Sequence, residues 1–305
     1  MSDQNDVRHF LSLRDWEGAE LAEIIRHAIR LKTSNERVPK PLTGRLLGMI
    51  FRKSSTRTRV SFEAAMLQDG GHAIVLSAEG SQIGRGESAA DTARVLSRYV
   101  DGIVIRTHEQ AELQEFAAHA TVPIINGLTD FVHPCQLLAD VMTMKEEFGL
   151  NLHDVPVAWI GDGNNMAHSW VHAAARFGFP LTLACPEGYD PDETIVAWGH
   201  NNAEIRIVRD PREAVASARV VTTDTWTSMG QEEEKAEREA AFAGFRVDES
   251  LMESAAKDAI FLHCLPAYRG SEVTGEVIDG PRSRVWDEAE NRLHAQKALL
   301  ITLLG

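Results

Sequence analysis

The chain has 305 residues, 44% of them apolar and 25% charged, and a formal net charge of −14. That length accommodates two domains of ordinary size, and the composition is that of a globular protein rather than a fibrous or disordered one. The acidic balance disfavours nucleic acid or an anionic membrane surface as main partner, and no apolar run reaches the roughly 18 residues of a membrane span.

Residues Met1 to Asp6 hold no basic stretch and no apolar core, and Asp3 and Asp6 are acidic. Neither a secretory signal nor a transit peptide is expected. Cys135, Cys185 and Cys264 have no metal-site or redox-motif spacing. Reduced thiols in a cytoplasmic protein, without a metal, are the expectation.

The first strand is expected at Leu46–Phe51. It empties into Arg52-Lys53-Ser54-Ser55-Thr56-Arg57-Thr58-Arg59, a run of cations and hydroxyls. Ser and Thr are favoured where a helix begins, and the free N–H groups and dipole there attract anions. Arginine adds a fork that grips phosphate. The segment therefore suits a phosphate-bearing small molecule; a solvated basic turn is the alternative.

Further strands are expected at Ala73–Leu76, Gly102–Arg106 and Pro123–Asn126, with helices at Ser88–Tyr99 and Ala111–His119. The Gly- and Ser-rich segment Ser77–Glu87 reads as a mobile loop. A helical stretch, Cys135–Glu147, closed by Gly149, leads into a second series. Its strands are expected at Val155–Ile160, Leu181–Ala184, Glu204–Val208, Arg219–Thr223 and Ala259–His263, with a helix at Met166–Phe177. Gln231–Arg238 reads as a solvated, charged helix face. Asp287–Leu304 is a helix with a glycine stop. Strand–helix alternation predicts an α/β protein of two domains, each a parallel β-sheet flanked by helices. The expected divisions are 1–140, 141–286, and a C-terminal helix, 287–305, packing back on the first domain.

Ligands of open parallel sheets bind at the carboxyl ends of the strands, and the unusual polar clusters fall at those ends. They are Ser54–Arg59, Arg106, His133-Pro134-Cys135-Gln136, Gly161-Asp162-Gly163-Asn164-Asn165, Asp224–Gly230 and His263-Cys264-Leu265-Pro266. An active site in a cleft between the two domains is expected. Gly161-Asp162-Gly163 imitates a dinucleotide fingerprint, but Met166 stands where the third glycine is needed for close packing. His168 and His172 have zinc-pair spacing, but Ser169 replaces the glutamate a metalloprotease needs, and a structural role is expected for both.

Ser55-Thr56-Arg57-Thr58-Arg59, His133-Pro134-Cys135-Gln136, Asp224 with Ser228-Met229-Gly230, and His263-Cys264-Leu265-Pro266 together resemble the ornithine carbamoyltransferase family. The likeness runs from Phe10-Leu11-Ser12-Leu13 to Glu290-Asn291-Arg292-Leu293-His294. It implies transfer of the carbamoyl group of carbamoyl phosphate to the side-chain amine of L-ornithine, giving L-citrulline and phosphate. It implies that Ser55, Thr56, Arg57 and Thr58 hold the phosphate, and that Arg106, His133 and Gln136 surround the carbamoyl group, with Arg292 a further contact. Gln82 resembles a residue supplied by a neighbouring subunit, which implies a homotrimer. Asn164, Asp224, Ser228 and Met229 resemble the pocket for the backbone of ornithine, and Cys264 and Leu265 residues beside its reacting amine. The catalytic set is then Arg106, His133, Cys264, Asp224 and Arg57, without cofactor or metal. Arg52 departs from the family in replacing an acidic residue, so a more positive local field is expected. Plainer roles stay open: a helix cap for His133 or Asp224, a small buried residue for Cys264, a surface ion pair for Arg292.

Overall fold

A computed structural model describes residues 7–34, 40–77, 86–227 and 234–305. The chain divides into two compact units, 1–139 with 292–305, and 140–291.

In the first unit the elements are α1 (Gly18–Thr33), β1 (Leu46–Phe51), α2 (Thr56–Gln68), β2 (His72–Ser77), α3 (Ala89–Leu96), β3 (Gly102–Arg106), α4 (Gln110–His119), β4 (Ile124–Leu128) and the start of α5 (Pro134–Phe148). The strands pair in parallel in the order β2-β1-β3-β4. Ile50, Ile103, Ile105, Leu113, Phe116 and Ile124 form a core from strands and covering helices. Strands buried on both faces must be apolar almost throughout, which is why Leu-Leu-Gly-Met-Ile-Phe is legible as a strand. The chain winds one way from β1 to β2 and the other way from β1 to β3. The switch point therefore lies at the carboxyl ends of β1 and β3, the favoured ligand position of such a sheet.

In the second unit the elements are β5 (Val157–Ile160), α6 (Asn165–Phe177), β6 (Leu181–Ala184), α7 (Glu193–Asn202), β7 (Ile205–Val208), α8 (Pro211–Val215), β8 (Val220–Thr223), α9 (Lys235–Ala241), α10 (Glu249–Glu253), β9 (Ile260–His263), α11 (Gly275–Ile278) and the start of α12 (Val285–Leu304). The parallel order is β7-β6-β5-β8-β9, so the switch point lies beyond β5 and β8. Ile160, Val221, Trp226, Phe242, Phe261 and Val285 belong to its core.

Three expectations are revised. The fourth strand does not stop at Asn126 but runs to Leu128 through Gly127, beside a bulge between Ile105 and Arg106. A Cβ on Gly127 would stand 3.1 Å from Val104 and 3.2 Å from the Ile105 carbonyl, so this glycine permits a close approach rather than breaking the strand. The charged run before Phe242 is not wholly solvated: Arg238 is buried, pairs with Asp162, and lies 5.0 Å from the centroid of Tyr189. Arg52 does not add an unbalanced charge, because its guanidinium pairs with Glu112. Most of the expected mobile loop, 78–85, lies outside the described residues.

Candidate active site

At the first switch point, Ser55 caps α2. Its backbone is extended and its hydroxyl accepts from the Thr58 N–H at 3.2 Å. Such a cap is worth about 1 kcal/mol and fixes the first helical turn. Thr56 and Arg57 in that turn are exposed, whereas Thr58 is fully buried. Two guanidiniums converge on the Thr58 hydroxyl, Arg106 from the tip of β3 at 3.4 Å and Arg292 of α12 at 3.0 Å. Arg292 also donates to the Gln136 amide oxygen at 3.1 Å. A hydroxyl whose lone pairs take two such donors has its own proton left to give to an anion.

His133, one residue before α5, is buried. Burial, then the charges of Arg292, Arg106 and Arg57, hold its imidazole well below the usual histidine pKa. It is therefore neutral at pH 7, a hydrogen-bonding group beside three fixed cations. The set Ser55, Thr58, Arg106, His133, Gln136 and Arg292 lies within one unit and suits a compact oxyanion with a polarisable carbonyl.

At the second switch point Asn164 caps α6, its amide oxygen accepting from the N–H groups of Met166 at 2.9 Å and Ala167 at 3.3 Å. Its Nδ2 donates to Asp224 at 3.1 Å, from the tip of β5 to the tip of β8. The other Asp224 oxygen accepts from the Thr225 N–H at 2.7 Å and from the Cys264 thiol at 3.2 Å. Burial and the carboxylates of Asp224, Glu288 and Asp140 push the Cys264 thiol well above its usual range. It is a protonated donor, not a thiolate nucleophile.

Beside it, Leu265 takes a left-handed backbone, φ 58°, uncommon for leucine and costing about 1–3 kcal/mol. Its N–H donates to His263 Nδ1 at 2.9 Å, so His263 carries its proton on Nε2, which faces Glu272 at 3.3 Å. Asp224, His263 and Cys264 bring potential metal-ligand atoms within 4.8 Å of one another. In this arrangement, however, both His263 nitrogens and the thiol proton are engaged within the protein. Asn164, Asp224 and Cys264 present an anionic, hydrogen-bonding edge suited to a cationic or amine ligand.

Of the residues expected at the site, Gln82, Ser228 and Met229 lie outside the described residues. Sequence reasoning passed over three buried acids of the second unit. Glu288 accepts from the His263 N–H at 2.8 Å, Glu272 faces His263, and Asp140 bears on Cys264. The available signal for Asp140 was an acid inside the apolar run Leu137-Leu138-Ala139-Asp140-Val141-Met142. The glycine fingerprint has a packing explanation: a Cβ on Gly163 would lie 2.1 Å from the Pro191 nitrogen. His168 accepts from the Asp192 N–H at 2.9 Å, and His172 packs edge-on against Trp198. Both are tied into the fold.

Residues 8–146 match the aspartate/ornithine carbamoyltransferase carbamoyl-P binding domain, and residues 153–303 match the Asp/Orn binding domain of the same family. An ornithine carbamoyltransferase of Pelobacter propionicus is 55% identical over 98% of this chain and 99% of that protein. An anabolic ornithine carbamoyltransferase of Pseudomonas aeruginosa is also 55% identical, over 98% of this chain and 97% of that one. The solved ornithine carbamoyltransferase of Pyrococcus furiosus superposes with a TM-score of 0.93 at 48% identity, over 98% of this chain and 97% of that one. With both domains matched in order and half of all positions shared along nearly the whole length, the chain belongs to the aspartate/ornithine carbamoyltransferase family, on its ornithine carbamoyltransferase branch.

Proposed function

We propose that the chain transfers the carbamoyl group of carbamoyl phosphate to the side-chain amine of L-ornithine, releasing phosphate and L-citrulline. The observation that carries this reading is the convergence of Arg106 and Arg292 on the Thr58 hydroxyl, beside a neutral His133 and at the switch point of its sheet. Ser55, Thr56, Arg57 and Thr58 hold the phosphate through backbone N–H groups, hydroxyls and a guanidinium. Arg292 and Gln136 fix the orientation. Arg106, His133 and Thr58 donate to the carbonyl oxygen, where negative charge develops as the nitrogen attacks. One such donor is worth roughly 3–4 kcal/mol of barrier.

The second substrate enters as an amine. An alkyl ammonium has a pKa of about 10.4, so only about one molecule in 2500 is neutral at pH 7. Asn164 and Asp224, with Ser228 and Met229, take the charged α-amine and carboxylate of ornithine. The side-chain nitrogen is left beside Cys264 and Leu265. Cys264 keeps its proton and donates to Asp224, so its sulfur is a soft acceptor for the amine N–H. As the N–C bond forms, the C–O bond to phosphate breaks. The nitrogen's surplus proton passes to the departing phosphate, so no protein base is required.

We place the enzyme in the cytoplasm on its three free cysteines, and in arginine metabolism on its ornithine and citrulline chemistry. We infer a homotrimer in which Gln82 reaches a neighbouring site. The exposed apolar side chains Val60 and Leu67 of α2 and Ile74 of the edge strand β2 support an interface on that unit. The deciding experiment compares steady-state turnover of ornithine, putrescine, N-acetylornithine and aspartate with carbamoyl phosphate. Ornithine is expected to dominate in kcat/KM. Equal or better use of any rival overturns the assignment.

A further inference from the structure

Beyond the β1–β3 ladder the two chains stay in step. Phe51 pairs with Arg106, and the Arg52 N–H donates to the Arg106 carbonyl at 2.9 Å. Two carboxylates then extend the match residue by residue. Glu112 of α4 takes both the Arg52 guanidinium and the Thr107 hydroxyl. Asp130, just past β4, takes the Lys53 ammonium on one oxygen and His108 Nδ1, at 3.1 Å, on the other. The backbone N–H of Asp130 also donates to the His108 carbonyl at 2.9 Å.

Asp130 thus touches the chain leaving β1 and the chain leaving β3, and it sits on the chain leaving β4. Those chains carry Ser55–Thr58, Arg106 and His133 respectively. The Lys53 side chain is 8% exposed and Asp130 is 53% exposed, so the acid is a lid on a nearly buried cation. A buried ammonium without its counter-ion is forced toward water or another anion, and here it would pull the phosphate loop with it.

We propose that Asp130 is a positioning residue, a staple that holds the Ser55–Thr58 loop in register with the tip of β3 so that Thr58 and Arg106 keep their spacing. Glu112 reinforces it one residue earlier. Neither acid is among the groups assigned above to carbamoyl phosphate or ornithine. The inference rests on reading Ser55–Thr58 as the carbamoyl phosphate loop.

The test uses the full-length enzyme. Asp130→Asn should lower kcat and raise KM for carbamoyl phosphate by about tenfold each, since a misplacement near 1 Å costs that much or more. KM for ornithine should stay within about twofold, and Asp130→Glu should recover most of the loss by keeping the charge. Lys53→Met should move the same two constants in the same direction, and the double variant should be no worse than the poorer single one, because both lose the Lys53–Asp130 contact. If Asp130→Asn does not fold, Lys53→Met is judged on the same two constants. Carbamoyl phosphate kinetics within about twofold of wild type, with only the melting temperature lowered, overturn the inference, as do single defects that multiply in the double variant. Failure of the functional reading looks different: the unaltered enzyme then makes no citrulline.

Discussion

At His133, burial and the guanidiniums of Arg292, Arg106 and Arg57 act in one direction, each disfavouring the imidazolium. The same physics has a stability consequence. The folded pKa lies below the unfolded value of about 6.5, so the unfolded chain binds the extra proton first. His133 therefore contributes stability above about pH 6.5 that is lost as pH falls below it. Replacing it with glutamine should flatten the acid limb of a chemical-denaturation profile between about pH 5 and 6.5; an unchanged limb would mean the imidazole is already protonated when folded. Arg106 is expected to act on the developing oxyanion more than on ground-state binding. Arg106→Ala should lower kcat by at least about a hundredfold, while ornithine affinity changes little. Unaltered turnover refutes that role. Asp224→Ala should cripple ornithine use but spare carbamoyl phosphate binding by calorimetry, because Asp224 belongs to the unit that holds Asn164 and Cys264.

Strand tips place nearly all of these groups, and they are also where sequence and structure part company. Buried parallel strands advertise themselves as apolar runs, so β1 and β3 were legible to their last residue, and β9 to within one residue of its start. The cap at Ser55 was legible because a hydroxyl before a helical run has few other uses. The switch points were not, since strand order is a long-range property that no local pattern encodes. Nor were the cross-chain partners, such as Glu112 for Arg52 and Arg238 for Asp162. The last pair ties α9 to the tip of β5. Burial pushes the Asp162 carboxyl up to about 6 even though Arg238 pulls it down. Desolvation therefore outweighs attraction, and the ionised pair is a structural tie rather than a net source of stability. Arg238→Met should cost about 3–5 kcal/mol at pH 8, where Asp162 must either stay charged without its partner or take up a proton that is scarce at that pH. The loss should shrink toward pH 5, where the carboxyl takes a proton instead. Denaturant melts at the two pH values check this, and equal losses would place the destabilisation in lost packing over Tyr189 and Phe242.

Over the whole molecule the division of labour is electrostatic. A chain with a net charge of −14 concentrates guanidiniums around Thr58 and His133 in one unit and carboxylates around Cys264 in the other. The first set suits an anion whose leaving group must accept charge. The second suits an amino acid that arrives with two ammonium groups and one carboxylate, a net cation whose side chain has to lose a proton before it can attack. Carbamoyl transfer should therefore gain rate as pH rises from 7 toward 9, nearly in proportion to the free-amine fraction at subsaturating ornithine. His133 cannot supply that rise, since it is already neutral at pH 7. Cys264 cannot supply it either, because its thiol is held well above its usual range. The alkaline rise should consequently survive in Cys264→Ala, at a lower rate. It should shift to lower pH when ornithine is replaced by an analogue with a less basic side-chain amine. A flat profile in the native enzyme with chemistry limiting would show that the site accepts ornithine without selecting its neutral form. A rise abolished by Cys264→Ala would make the thiol, rather than the substrate, the group that titrates.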